Sequence, residues 1–171
     1  MKIIIKLCVL LIVFSLFSCS SDDDGDTTTS IEGTWVLSAL RVESAFDFNE
    51  DGTASRNLFV ETPCYNDDLI RFRSDGTVNI ISALTSITVE VTSATEYEHV
   101  YECLDGFDTE STWTHDGNTI TVENGNDDLV GTLSGNIMNV FVSDFFRIEM
   151  YDGMNFTYPN EDVTLVYTKQ E

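Results

Sequence analysis

The chain has 171 residues, of which 30 are acidic and eight basic, giving a formal charge of −22. That length suits one domain. A surface so negative repels nucleic acid and anionic lipid headgroups, which excludes both as direct partners.

Residues 1–6 make a short basic start with Lys2 and Lys6, and residues 7–17 are an apolar run. A membrane-spanning helix needs roughly 20 apolar residues, so this run is too short to cross a bilayer. Basic start, short apolar core and small residue describe a secretory signal. Leu16-Phe17-Ser18-Cys19 at its end resembles a bacterial lipobox. The resemblance implies a lipoprotein signal peptide over residues 1–18, a cut before Cys19, and lipid on Cys19. Residues 19–30 then form a lipidated acidic tether, Ser20-Ser21-Asp22-Asp23-Asp24-Gly25-Asp26 being its charged part. Like charges repel and nothing in this run can bury. It also resembles the surface-export signal of some Gram-negative lipoproteins, which implies an outer-membrane anchor facing the cell exterior. A periplasm-facing anchor is the alternative. The membrane partner is reached through several acyl chains on Cys19, since a single chain holds only marginally.

From residue 31 onward apolar and polar residues alternate with the period of a strand. Trp35, Leu37 and Ala39 open the pattern. Ile70 and Phe72 follow, then the turn Ser74-Asp75-Gly76 into Val78, Ile80 and Ser82. Ile87, Val89 and Val91 make a further run. Trp113 leads through His115-Asp116-Gly117-Asn118 to Ile120 and Val122. Leu129 and Leu133 lead through Ser134-Gly135-Asn136 to Met138, Val140 and Val142. Tyr151-Asp152-Gly153 is another turn, and Val163, Leu165 and Tyr167 close the chain. Asp-Gly between alternating runs is the strongest short-range hairpin signal. No stretch sustains a helical period, and residues 57–60 form one helical turn at most. The spacing predicts an all-β domain over residues 31–171. Its eight to ten antiparallel strands, in meander order, close as an up-and-down β-barrel and so remove exposed edges. A two-sheet β-sandwich is the alternative. Cys8 leaves with the signal and Cys19 is lipidated, so Cys64 and Cys103 remain as an even pair in an oxidising compartment, where a disulfide is expected.

Ile31-Glu32-Gly33-Thr34-Trp35 opens the first strand as the lipocalin Gly-x-Trp motif does. The order that follows resembles bacterial lipocalin-like lipoproteins. An acidic loop comes at residues 47–52, a short segment ending in Cys64, a strand and Asp-Gly hairpin at 69–80, and Cys103 followed by Thr112-Trp113. In lipocalins a late Arg stacks on the motif Trp, whereas the late basic residue here is Lys169. The resemblance implies a lipocalin-like barrel that binds a small apolar or amphiphilic ligand without catalysis. An eight-stranded barrel has room for side chains or for one small ligand. Val78, Ile80, Val89, Val140 and Leu165 are the expected lining residues. Phe141, Phe145 and Phe146 are too many for one strand face and mark either an apolar mouth or a wrapped core. The alternative is a solid-core surface module whose loops and acidic face bind a protein, a glycan or Ca²⁺.

Enzyme machinery is scarce. His99 and His115 are the only histidines, and neither Gly-x-Ser-x-Gly nor His-Glu-x-x-His occurs. Asp47, Asn49 and Asp51 sit at the first, third and fifth places of an EF-hand-like start. Gly52 follows, and Thr53 can offer its carbonyl. The place of the closing Glu is taken by Leu58, with Glu61 three residues late. The expectation is either a weak Ca²⁺ site or an acidic turn stabilised by local hydrogen bonds.

Overall fold

The computed structural model describes residues 30–93, 96–123, 125 and 127–171. The expected signal peptide, the expected lipidation site Cys19 and the expected tether up to residue 29 lie outside the described residues. Eight strands pair in meander order: β1 (Gly33–Phe46), β3 (Leu69–Phe72), β4 (Thr77–Val91), β5 (Tyr97–Asp116), β6 (Thr119–Val122), β7 (Leu129–Ser134), β8 (Ile137–Arg147) and β11 (Asn160–Lys169). β11 returns to β1 in antiparallel register, from Trp35 opposite Lys169 to Arg41 opposite Thr164. That last pairing closes the ladder, so the domain is a barrel and not a sandwich. Short pieces lie outside the wall. β2 (Ser55–Asn57) pairs with β1, α1 (Leu58–Glu61) and a 3₁₀ turn (Pro63–Tyr65) follow it, and β9 (Met150–Tyr151) pairs with β10 (Phe156–Thr157). The closed sheet and its core, from Ile31 to Tyr167, are complete within residues 30–171.

One end of the barrel is plugged by the Gly-x-Trp motif. Trp35 is fully buried and donates its indole N–H to the Ile31 carbonyl at 2.8 Å. Lys169 places its Nζ 5.9 Å from the Trp35 ring centroid and also donates to the Ser30 carbonyl. The late basic residue Lys169 thus sits over the ring of Trp35. Trp113, half-buried, packs edge-on against Phe72 at 5.1 Å and donates to the Arg73 carbonyl.

The runs around Val78 and Val89 are one 15-residue strand, β4, and not two. Its inward face changes phase in the middle. Val78, Ile80 and Ser82 face inward before a register slip between Ser82 and Leu84, and Ile87 and Val89 do so after it. A bulge of this kind bends a strand and increases its twist. The β4–β5 hairpin consequently leaves the wall and folds over the second end of the barrel. There His99 packs edge-on against Phe46 at 5.2 Å, and Tyr101 meets Phe48 at 5.0 Å, both belonging to β1 or the loop after it, three strands away around the barrel. The Cys64–Cys103 disulfide, with Cα atoms 5.3 Å apart, ties the folded hairpin to the 3₁₀ turn. Ile148, fully buried, bridges to Ile87 from the segment after β8, and the Glu149 amide donates to the Ile87 carbonyl.

Where the ladder opens, buried carboxylates take the place of strand carbonyls. Glu161 accepts from the amides of Glu43 and Ser44 at 2.8 and 2.9 Å, and from the Ser44 hydroxyl. Asp68 accepts from the Ala83 amide at 2.8 Å and the Ser82 hydroxyl at 3.0 Å, right at the bulge of β4. Unpaired buried amides are costly, and a chain rich in carboxylates meets that need with side chains.

Candidate functional site: the barrel interior

The barrel is hollow. Its cavity has a volume of about 970 Å³, at the upper end of the ~300–1,000 Å³ range of small-molecule pockets. Phe72, Ile120 and Met138 line it toward the Trp35 end, and each is buried. Three of the five expected lining residues, Ile80, Val140 and Leu165, line it. Val78 does not, because it is fully buried at the start of β4 near the plugged end. Val89 does not either, because it lies beyond the bulge on the folded hairpin, paired with His99.

The mouth is lateral, and short strands make it. β6 has four residues and β7 six, against twenty in β5 and eleven in β8. β6 pairs with β5 only over residues 113–116, and β7 pairs with β8 only over 137–140. Above that level the wall drops between β5 and β8, and inward-facing side chains meet solvent. Leu104, Phe107, Phe145 and Tyr158 line this side of the cavity, and all four are exposed. Phe145 reaches the rim through a second bulge. Phe146 pairs with Glu161 and Val142 with Val163, so β8 carries extra residues, with Asp144 at φ 51°. Of the three phenylalanines flagged in the sequence, Phe146 is buried in the core and Phe145 forms the mouth. Phe141 is 60 % exposed and lies away from the cavity.

Polar groups in the wall are few. Tyr65 and Thr85 both line the cavity, and their hydroxyl oxygens are buried without a hydrogen-bond partner. Burial pushes the Tyr65 phenol up to about 12; the adjacent Thr85 hydroxyl, near enough to interact though not in good hydrogen-bond geometry, lowers it, and the Asp68 charge raises it. Tyr167, also lining, is raised by burial first and then by Asp68. Asp68 itself is pushed up to about 6 by burial, against the lowering effect of its two hydrogen bonds. Among lining residues the acidic ones are Glu110, Glu123 and Glu149, and the basic one is Arg147, whose guanidinium sits 4.9 Å from the centroid of the Tyr158 ring. A smaller hollow of about 420 Å³ lies by Phe46, Phe48 and His99. Burial holds the His99 imidazole below its usual range, and its Nε2 has no partner. His115 is exposed and stacks on Trp113 at 5.9 Å.

The acidic loop is tied together by local bonds to its own side-chain oxygens. Asp47 accepts from the Gly52 amide, Asn49 from the Asp51 amide, and Asp51 from the Thr53 amide, all near 3 Å. Glu61, buried, accepts from the Phe48 amide at 3.0 Å. These are the local bonds of Asx-type turns. Among the described residues no group of three or more His, Cys, Asp or Glu is placed to hold a metal ion.

Tyr65, Thr85, Asp68, Phe107 and Tyr158 were not legible as site residues. Only Tyr65 carried a signal, standing next to the disulfide cysteine Cys64. Comparison with protein-family models, with curated proteins and with solved structures finds no match to this chain.

Proposed function

We propose that this protein is a lipid-anchored, non-catalytic binder of one small apolar or amphiphilic molecule, which it holds inside its barrel. The observation that carries this reading is the cavity of about 970 Å³, apolar in most of its lining and reached through an apolar mouth. A solid-core interaction module would have filled that space with side chains. Exposed aromatic residues gathered at one opening fit a portal for an apolar molecule. The lipobox-like Leu16-Phe17-Ser18-Cys19 and the acidic run after it support an anchor on the outer membrane, facing outward. In that setting the protein holds its ligand at the cell surface, away from its own bilayer by the length of the tether.

Native mass spectrometry of the protein exported with its own leader tests this reading. Extra mass released by organic solvent is expected. N-phenyl-1-naphthylamine, a neutral fluorescent probe, is expected to bind and to raise the melting temperature, since a ligand at one hundred times its Kd adds about 2.7 kcal/mol. Phe145→Ala is expected to weaken the probe several-fold without lowering stability. A bare mass together with no probe binding would overturn the proposal.

A further inference from the structure

We propose that the cavity selects a neutral amphiphile. Its uncharged hydroxyl, carbonyl or amide is hydrogen-bonded by Tyr65 and Thr85, and its apolar part fills the rest of the barrel. This rests on the barrel being a ligand site and goes further by naming the ligand's chemistry.

The first support is the pair of hydroxyls. Tyr65 is 2 % exposed, and among the described residues its hydroxyl and that of Thr85 are two of only three buried side-chain polar atoms left without a partner. Buried polar groups in native proteins are nearly always paired, and an exception calls for a cause. Here both exceptions fall on the wall of one cavity, and the two hydroxyls lie close enough to influence one another without forming a well-aligned bond, so one ligand atom placed at the pair can bridge them. The phenol is protonated at physiological pH, as any tyrosine is, and burial only strengthens that. It can donate to a ligand oxygen, and its own oxygen can also accept. The Thr85 hydroxyl donates or accepts, which suits a hydroxyl, a carbonyl or an amide.

The second support is charge. Asp68 lies close enough to Tyr65 and Tyr167 to raise both, and a carboxylate headgroup at Tyr65 would face it. Glu123 and Glu149 line the same cavity. Arg147, the one cation in the lining, is an exposed residue occupied with the Tyr158 ring. A cationic head does not reach Asp68, which is buried behind the wall and is not one of the lining residues. Removing both signs of charge leaves a neutral polar head.

The test uses residues 30–171, with the disulfide formed and cooperative unfolding checked first. Dodecanol, dodecanoate and dodecane are titrated against bound N-phenyl-1-naphthylamine at pH 7.5. Dodecanol is expected to displace the probe at least tenfold better than either of the others. Tyr65→Phe is expected to bring dodecanol down to the level of dodecane while leaving dodecane unchanged, and its ligand-free melting temperature should be equal or higher, since an unpaired hydroxyl has been removed. Thr85→Val gives the same comparison should Tyr65→Phe fail to fold. Equal displacement by dodecanol and dodecane, or no change in Tyr65→Phe and Thr85→Val, overturns the headgroup assignment and leaves the binding function standing. Strongest displacement by dodecanoate, lost in Arg147→Ala, overturns it in favour of an anionic ligand held at the rim. Failure of the probe itself to bind overturns the binding function, and the headgroup assignment falls with it.

Discussion

Gly106 is the residue on which the shape of the site turns. A Cβ there would lie 1.8 Å from the Ser82 carbonyl oxygen and 2.6 Å from the Ala83 Cα. Both are backbone atoms at the β4 bulge, so no side chain can move aside. The need is for space and not for an unusual φ, because Gly106 is not among the residues with positive φ. Gly106→Ala must push β4 and β5 apart where they begin to fold over the barrel. Overpacking in a tight site costs about 1–3 kcal/mol, and rigid backbone on both sides puts this substitution at the upper end. Urea unfolding should show that loss as a lower midpoint. Probe binding should weaken as well, since Leu104 and Phe107 flank Gly106 at the mouth. A variant with wild-type midpoint would mean that the hairpin leaves the wall without this close approach.

At the scale of elements, the folded β4–β5 hairpin is held by one covalent bond. Cys64 and Cys103 are 39 residues apart, and closing a loop of that length in the unfolded chain contributes about 4 kcal/mol by chain entropy. The pair Cys64→Ser with Cys103→Ser should lose stability of that order in urea. Amide exchange should quicken most over residues 85–91 and 97–103, where hairpin packing replaces barrel pairing. Uniform quickening over the whole barrel would show instead that the disulfide acts only on the unfolded state. The cysteine pairing was legible from compartment and count, and the meander from Asp75-Gly76 and Asp116-Gly117 between alternating runs. The bulges were not. A bulge moves the inward face from even to odd positions, so Ser82 and Thr85 both face inward while the alternation read across them fails. That is why β4 looked like two strands, and why Val89 looked like a lining residue when it sits past the bend. The mouth was hidden for a related reason. Phe107 has the inward phase of a core residue, and it is exposed only because β6 and β7 stop short of it.

For the whole molecule, charge and burial act on stability in the same direction at Asp68 and in opposite directions at His99. Thirty acidic residues face eight basic ones, and among the described residues the one salt bridge is Arg73 to Glu110 at 2.9 Å. Such a surplus repels itself and weakens the compact state. Raising salt from 20 mM to 1 M shortens the screening length to about 3 Å, so the melting temperature at pH 7.5 should rise. Asp68 adds a dependence that salt cannot screen, because it is buried. Its pKa stands near 6 in the fold against 3.8 as a free side chain, so the folded state holds that proton more tightly. Its contribution is complete below about pH 4 and is lost as pH climbs through 6, with a size of up to about 3 kcal/mol. His99 has the reverse sign. Its pKa is held below 6.5 by burial, so its contribution is present above 6.5 and is lost as pH falls. The two partly cancel in the wild type between pH 7 and 5, and single variants separate them. In 1 M salt, the stability of the wild type minus that of Asp68→Asn should grow steadily from pH 7 to 5. The same difference against His99→Gln should shrink over that range. Asparagine can still accept from the Ala83 amide, so the first comparison removes the titration while keeping the bond at the bulge. A pH-independent gap between wild type and Asp68→Asn would mean that the carboxylate at the bend is ionised throughout, and that water reaches it through the cavity.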